Sequence, residues 1–134
     1  MKNLRLLVVF MVLVAIITAC SPTEEAILMV TGKEYSKSDL EAFGLISADY
    51  TNKDGETTTY EGISLTELLL DANAIEGETL SFIASDGYSA DMALEEAMAC
   101  ANCIVAFDDD SLRMVLPDFS NKLQVKDVVE INVE

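Results

Sequence analysis

The stretch Thr79–Leu94, TLSFIASDGYSADMAL, constrains the fold more than any other part of the chain. Thr79–Ala84 is an apolar run rich in β-branched and aromatic residues, the composition of a buried strand. Ser85-Asp86-Gly87-Tyr88 reads as a turn, because Asp and Ser side chains bond nearby backbone and Gly supplies positive φ. Ser89–Leu94 alternates polar and apolar residues and predicts a second extended segment, with a helix expected over Glu95–Cys100. A strand, a tight turn and a returning strand require an antiparallel sheet at the centre of the fold.

The flanking chain supplies the rest of that sheet. Ala26–Thr31 predicts a first strand, ended by Gly32. Ser38-Asp39-Leu40-Glu41 has the spacing of a capping box, predicting a short helix through Phe43 with Gly44 as its C-cap. Leu45–Thr51 and Glu56–Tyr60 flank the turn-forming Asn52–Gly55, which predicts a hairpin with a four-residue loop. Its second arm, ETTTY, has no large aliphatic residue and suits an edge or a largely exposed strand. Ser64-Leu65-Thr66-Glu67 repeats the capping-box spacing, and Leu65, Leu68, Leu69 and Ala72 follow on one helical face. Further strands are expected at Cys103–Phe107, Leu112–Leu116 and Val125–Val133, with a loop at Asp118–Gln124. The pattern predicts an α+β single domain with a mixed, mainly antiparallel sheet and short helices. A parallel β-α-β unit fits only around the Leu65–Ala74 helix.

The first twenty residues read as an address. Lys2 and Arg5 precede the apolar run Leu6–Ile17, which is shorter than the ~20 residues of a spanning helix. It ends Ile17-Thr18-Ala19-Cys20 and resembles a bacterial lipoprotein lipobox. The resemblance implies a signal peptide over 1–19, lipid on Cys20, a tether over 20–25 and a domain over 26–134 on the extracytoplasmic face of the membrane. Two or more acyl chains give stable anchoring. All 24 Asp and Glu residues and six of the eight Lys and Arg residues follow Cys20. The processed chain would therefore carry a net charge near −18, which repels nucleic acid and anionic headgroups.

The chain has no His and three Cys. Catalysis through Ser-His-Asp or Cys-His, and metal sites built on His, are thereby excluded. With Cys20 lipidated, Cys100 and Cys103 form a C-x-x-C at the end of a helix. Three readings stand open: a structural disulfide, two reduced thiols, or a redox or metal role. No second Cys pair exists to complete a zinc site, and Asp108-Asp109-Asp110 lacks the spacing of a calcium loop. No metal centre is expected. Asp86 and Asp91 fit a turn and a solvent-facing strand position. Arg113 and Lys126 stand out as rare cations on late strands, each able to meet an anionic ligand or the acidic surface.

The order of motifs resembles the sulfite-oxidase-type molybdopterin domain. Tyr60-Glu61-Gly62-Ile63-Ser64-Leu65 with Leu68-Leu69 is similar to that family's Y-x-G-V-x-L…LL segment. Asp86-Gly87-Tyr88-Ser89 resembles its DGYS turn. Ile104–Phe107 with Leu112–Pro117 resembles its ILAY…LRLVVP pair, and Val125-Lys126 with Ile131–Val133 its closing VK…I-x-V. The resemblance spans roughly Val30 to Glu134. It implies the sulfite oxidase fold and a molybdenum–pterin cofactor held by one cysteine thiolate, with Asp86, Gly87, Tyr88, Arg113 and Lys126 as cofactor contacts. That thiolate precedes the Y-x-G-V segment, near Leu45–Thr51 here, and the chain has no Cys between Cys20 and Cys100. The expectation is a non-catalytic binding or accessory module for extracytoplasmic redox proteins. The alternatives are a molybdopterin-dependent oxidoreductase without the thiolate, in which Arg113 and Lys126 meet the pterin phosphate, and a thiol redox lipoprotein using Cys100 and Cys103.

Overall fold

The computed structural model describes residues 24–134; the signal segment 1–19 and Cys20 lie outside the described residues. The chain forms β1 (Ala26–Val30), β2 (Lys33–Ser36), α1 (Lys37–Glu41), β3 (Ile46–Thr51), β4 (Thr57–Ser64) and α2 (Leu65–Asp71). It continues with β5 (Thr79–Ala84), β6 (Ser89–Ala93), α3 (Leu94–Met98), β7 (Ile104–Asp108), β8 (Ser111–Val115), a 3₁₀ turn at Asn121–Leu123 and β9 (Val128–Val133). No helix among the described residues is long and apolar enough to cross a membrane.

The strands divide into two sheets. One has the order β2-β1-β9-β5-β6 and the other β3-β4-β7-β8. Every strand pair is antiparallel except β1 with β9. This is a small α+β domain with two mostly antiparallel sheets and few short helices. The expected single sheet is corrected to two, and the parallel pair does not flank the Leu65 helix. That helix connects β4 of one sheet to β5 of the other, so no β-α-β unit forms there. The central hairpin forms as read: Phe82 pairs with Ala90 and Leu80 with Met92, all buried.

One apolar core draws on both sheets and all three helices. Leu28, Val30, Leu80, Phe82 and Ile131 come from the first sheet, and Ile63, Val105, Leu112 and Met114 from the second. Leu40 of α1, Leu65, Leu68 and Leu69 of α2, and Leu94 and Ala97 of α3 close its margin. The helices have five to seven residues and are too short to stand alone, so their burial holds them. A small second cluster, Ala48, Ile104, Ala106 and Val115, lies on the second sheet.

The N-terminal helix is displaced from its expected start. Strand β2, which the sequence reading lacks, ends at Ser36, and Ser36 becomes the N-cap. Its hydroxyl accepts from Asp39 N at 3.2 Å, and Asp39 Oδ2 accepts from Ser36 N at 2.9 Å. The segment Ser36-Lys37-Ser38-Asp39-Leu40-Glu41 holds two overlapping box spacings, and pairing of β2 with β1 selects the first. Ser38 instead bonds Glu24. At α2, Ser64 caps through Glu67 N as expected, at 3.4 Å.

Two carboxylates here contribute to the acid limb of stability. The backbone N–H and then the hydroxyl of Ser36 hold Asp39 below the usual carboxylate range. Asp71 is held low by Lys33, 2.7 Å away, and by the Tyr35 hydroxyl, which donates to it at 2.7 Å. Groups with depressed folded pKa values stabilise at pH above their unfolded values near 4 and lose that contribution as pH falls through the folded value. Asp39→Asn and Asp71→Asn should therefore melt below the parent at neutral pH, with the gap closing as pH falls below the usual carboxylate range. Thermal melts across that range check this; a gap that stays constant with pH excludes it. Burial, then Asp71, raises the Tyr35 phenol, so its contribution is intact below about pH 10 and lost above it.

Candidate functional site

The second sheet carries the cationic site. Arg113 is central on β8, paired with Ala106 of β7, and its side chain emerges on the face of the small apolar cluster. Tyr60 of β4 and Tyr50 of β3 enclose it. The guanidinium carbon lies 4.6 Å from the Tyr60 ring centroid and 5.8 Å from that of Tyr50, both within cation–π range. Nη1 donates to Tyr60 Oη at 2.9 Å, and the Asp108 carboxylate stands 3.8 Å from it. The Arg113 side chain is only 7% exposed. Its Nε is buried and has no hydrogen-bond partner among the described residues. A buried guanidinium N–H without an acceptor is costly, and it marks where an acceptor is lacking.

The residues that meet Arg113 do so because of the β3–β4 register. Ala48 pairs with Tyr60 and Tyr50 with Thr58, so both tyrosines point to one face. The loop between the strands spans five residues, Asn52–Glu56, rather than the four expected. Asn52 Oδ1 accepts from Asp54 N and Glu56 N, each at 3.0 Å, and Gly55 adopts φ 81°. The four-residue loop would set Tyr60 opposite Ser47 and turn it to the other face, away from Tyr50.

The segment after Pro117 closes the other side. Tyr50 Oη donates to Asn121 Oδ1 at 2.7 Å, and the backbone of Lys126 forms an isolated antiparallel bridge with that of Arg113 at the middle of β8. Gln124, 7% exposed, grips the backbone of Leu116 through both amide atoms. Tyr50, Tyr60, Arg113, Asn121, Gln124 and Lys126 line an open cleft of about 430 Å³, together with Lys53, Asp54 and Glu56 of the β3–β4 loop. Three of the six Lys and Arg residues beyond Cys20, namely Lys53, Arg113 and Lys126, therefore share one cleft. Among the described residues Lys126 forms no salt bridge.

The expected contacts divide. Arg113 and Lys126 come together. Asp86, Gly87 and Tyr88 stand outside the cleft, at the β5–β6 turn. Asp86 Oδ1 accepts from Tyr88 N at 2.9 Å, and Tyr88 Oη donates to the Lys122 carbonyl at 3.0 Å. That second bond holds the 3₁₀ turn that also bears Asn121. The DGY turn thus supports the cleft wall and lines none of it. Sequence reasoning missed Tyr50, Tyr60, Asn121 and Gln124, because only the hairpin register and the return of residues 117–126 bring them to Arg113.

Cys100 and Cys103 are joined in a disulfide, which corrects the readings of reduced thiols and of a metal role. Cys103 is fully buried and Cys100 half-buried, and the bridge fastens the end of α3 to the start of β7. Among the described residues no group of three His, Cys, Asp or Glu could hold a metal ion. The donor set therefore does not fit a thiolate-ligated molybdenum cofactor. The two cysteines of the domain are bonded to each other, and the cleft offers no sulfur. Asp91 Oδ1 accepts from Ser81 Oγ at 2.6 Å across the hairpin.

No protein-family model matches this chain, and no curated protein matches it.

Proposed function

We propose that this protein is a lipid-anchored, extracytoplasmic lipoprotein whose domain, built on a sulfite-oxidase-like frame, is a non-catalytic binding module for a small phosphate- or carboxylate-bearing ligand. The observation that carries the reading is the buried Arg113, with its unpartnered Nε, in the cleft that also gathers Lys126 and Lys53. A guanidinium stacked on aromatic rings keeps a fixed fork for an anion, and Lys126 adds a point charge. The three cations of the cleft set it apart from the rest of the surface, which is strongly acidic and repels anions, so the cleft is selective by contrast. Non-catalytic action is supported by the lack of His, of a free thiol in the domain and of a metal cluster among the described residues. The lipobox-like segment and the Cys100–Cys103 bridge support placement outside the cytosol.

The test titrates the full chain with inorganic phosphate, pyrophosphate and citrate, reading the melting temperature and calorimetric heat. At least one of these should stabilise the protein. Lys126→Gln, on an exposed side chain, should weaken that binding about tenfold while leaving the unliganded melting temperature unchanged. Absence of any shift at millimolar anion, or equal binding by Lys126→Gln, rejects the cleft. Recovery of molybdenum or tungsten at about one per chain from a host that makes the cofactor would reject the non-catalytic assignment.

A further inference from the structure

A second concavity of about 530 Å³ lies between β1, the start of β9 and the β7–β8 turn. Its floor is apolar and open to water: Ile27 is 38% exposed, Met29 36% and Val129 41%. Its rim is acidic, with Glu34, Asp109, Asp110 and Asp127 against the single cation Lys37, itself 4.0 Å from Glu41.

The main chain is open there as well. The parallel ladder between β1 and β9 holds only at Met29–Glu130 and Val30–Ile131. The Ala26–Leu28 half of β1 has no ladder partner on that side among the described residues. Irregularities mark both departing strands: the β1–β2 register shifts between Ala26 and Leu28, and the β5–β9 register between Ile83 and Ala84, opposite Val128. Bulges end pairing and re-aim side chains, and here they leave Ile27 and Val129 facing the gap. An unpaired strand edge beside apolar pockets is the arrangement that accepts an added strand.

We propose that this groove binds an extended segment of a partner protein in which Lys or Arg alternates with aliphatic residues. The backbone of such a segment would pair with Ala26–Leu28. Its aliphatic side chains would cover Ile27, Met29 and Val129, and its cations would meet Asp109, Asp110 and Asp127. The acidic rim selects the sign of the partner, because a like-charged segment would be repelled. This binding is independent of the anion cleft, with which the groove shares no lining residue.

The probe is a fluorescein-labelled acetyl-Lys-Val-Lys-Val-Lys-Val amide, with a peptide bearing Glu in place of Lys as its counterpart. Both are titrated against the full chain by anisotropy, at low and at high salt. The Lys peptide should bind, and the Glu peptide should not. Amide hydrogen exchange at Ile27, whose N–H faces the β9 side as that of Thr31 does, should slow on binding. The double variant Asp109→Asn/Asp127→Asn should weaken the complex about tenfold. Both positions have positive φ, 52° and 53°, which Asn tolerates as well as Asp, so the fold is kept. The charge-matched control Glu76→Gln/Glu95→Gln, on exposed residues elsewhere, should bind as the parent does. Equal weakening in both double variants would reduce the effect to general charge attraction and overturn the proposal. So would failure of the Lys peptide to bind, or protection of other amides alone. Slow exchange at Ile27 without peptide would assign the groove to the chain itself or to a second copy, and would also overturn it.

Discussion

Gly62→Ala should cost about 3–5 kcal/mol, a large part of the stability of a domain this size. Gly62 sits where β4 crosses onto β7, paired with Ala106. A Cβ added there would fall on the Val105 carbonyl oxygen, 2.7 Å from its carbonyl carbon and 2.5 Å from Ala106 Cα. All three obstacles are backbone, so no rotamer change relieves the clash, and the strands must separate. Separation would break the ladder that carries Ile63 and Val105 into the main core and Ala106 into the small cluster. With roughly 4 °C per kcal/mol for a domain of this size, the melting temperature should fall by more than about 10 °C. Gly55→Ala is the useful comparison. Gly55 has open space around it and only its φ of 81° to defend, so its loss should be about 1 kcal/mol. Equal losses in the two variants would show that the close approach of β4 to β7 does not carry the effect.

Gln124→Ala should cost about 2–4 kcal/mol and also weaken anion binding. Where β8 ends, Leu116 has no strand neighbour, and Gln124 replaces one. Its Oε1 accepts from Leu116 N at 2.8 Å, and its Nε2 donates to Leu116 O at 2.6 Å. Truncation orphans a buried donor and a buried acceptor together. It also frees the segment that brings Asn121 and Lys126 to the cleft. Gln124→Glu separates the two roles by pH. The introduced carboxylate still accepts from Leu116 N but faces the Leu116 carbonyl without a proton. Burial raises the pKa of such a group in the folded state, so its penalty is present at neutral pH and relieved as pH falls through that raised value. The deficit of Gln124→Glu relative to the parent should therefore shrink on acidification, while that of Gln124→Ala should not change. Denaturant titrations at pH 7 and about pH 4.5 read both. A Gln124→Ala variant as stable as the parent would mean that water replaces the amide.

Much of the element list was legible because it rests on local chemistry. The β5–β6 hairpin follows from an apolar strand, an Asp-Gly turn and an alternating return, and it forms over the expected residues. The α2 cap at Ser64 and the stop at Pro117 are local in the same sense. Errors gathered where two local solutions compete. Ser36 and Ser38 each begin a box, and only the pairing of β2 with β1 decides between them. Val125–Val133 looks like one strand, yet Asp127 takes φ 53° and breaks it. Lys126 is left on the second sheet and Val128–Val133 on the first.

The candidate site shows the same division. Composition makes Arg113 and Lys126 conspicuous, because cations are scarce in an acidic chain and scarcity is a property of the sequence. Two cysteines spaced to close a small loop were equally visible; that they are bonded is a fact of the fold. The aromatic walls were not visible, since one residue in the β3–β4 loop decides whether Tyr50 and Tyr60 share a face. The sequence by itself determined the apolar runs, the turns, the charge and the chemistry that is missing. Only the tertiary structure decided the division into two sheets, the loop register and the burial of Arg113. Strand partners are chosen by long-range burial, which no local window of the chain contains.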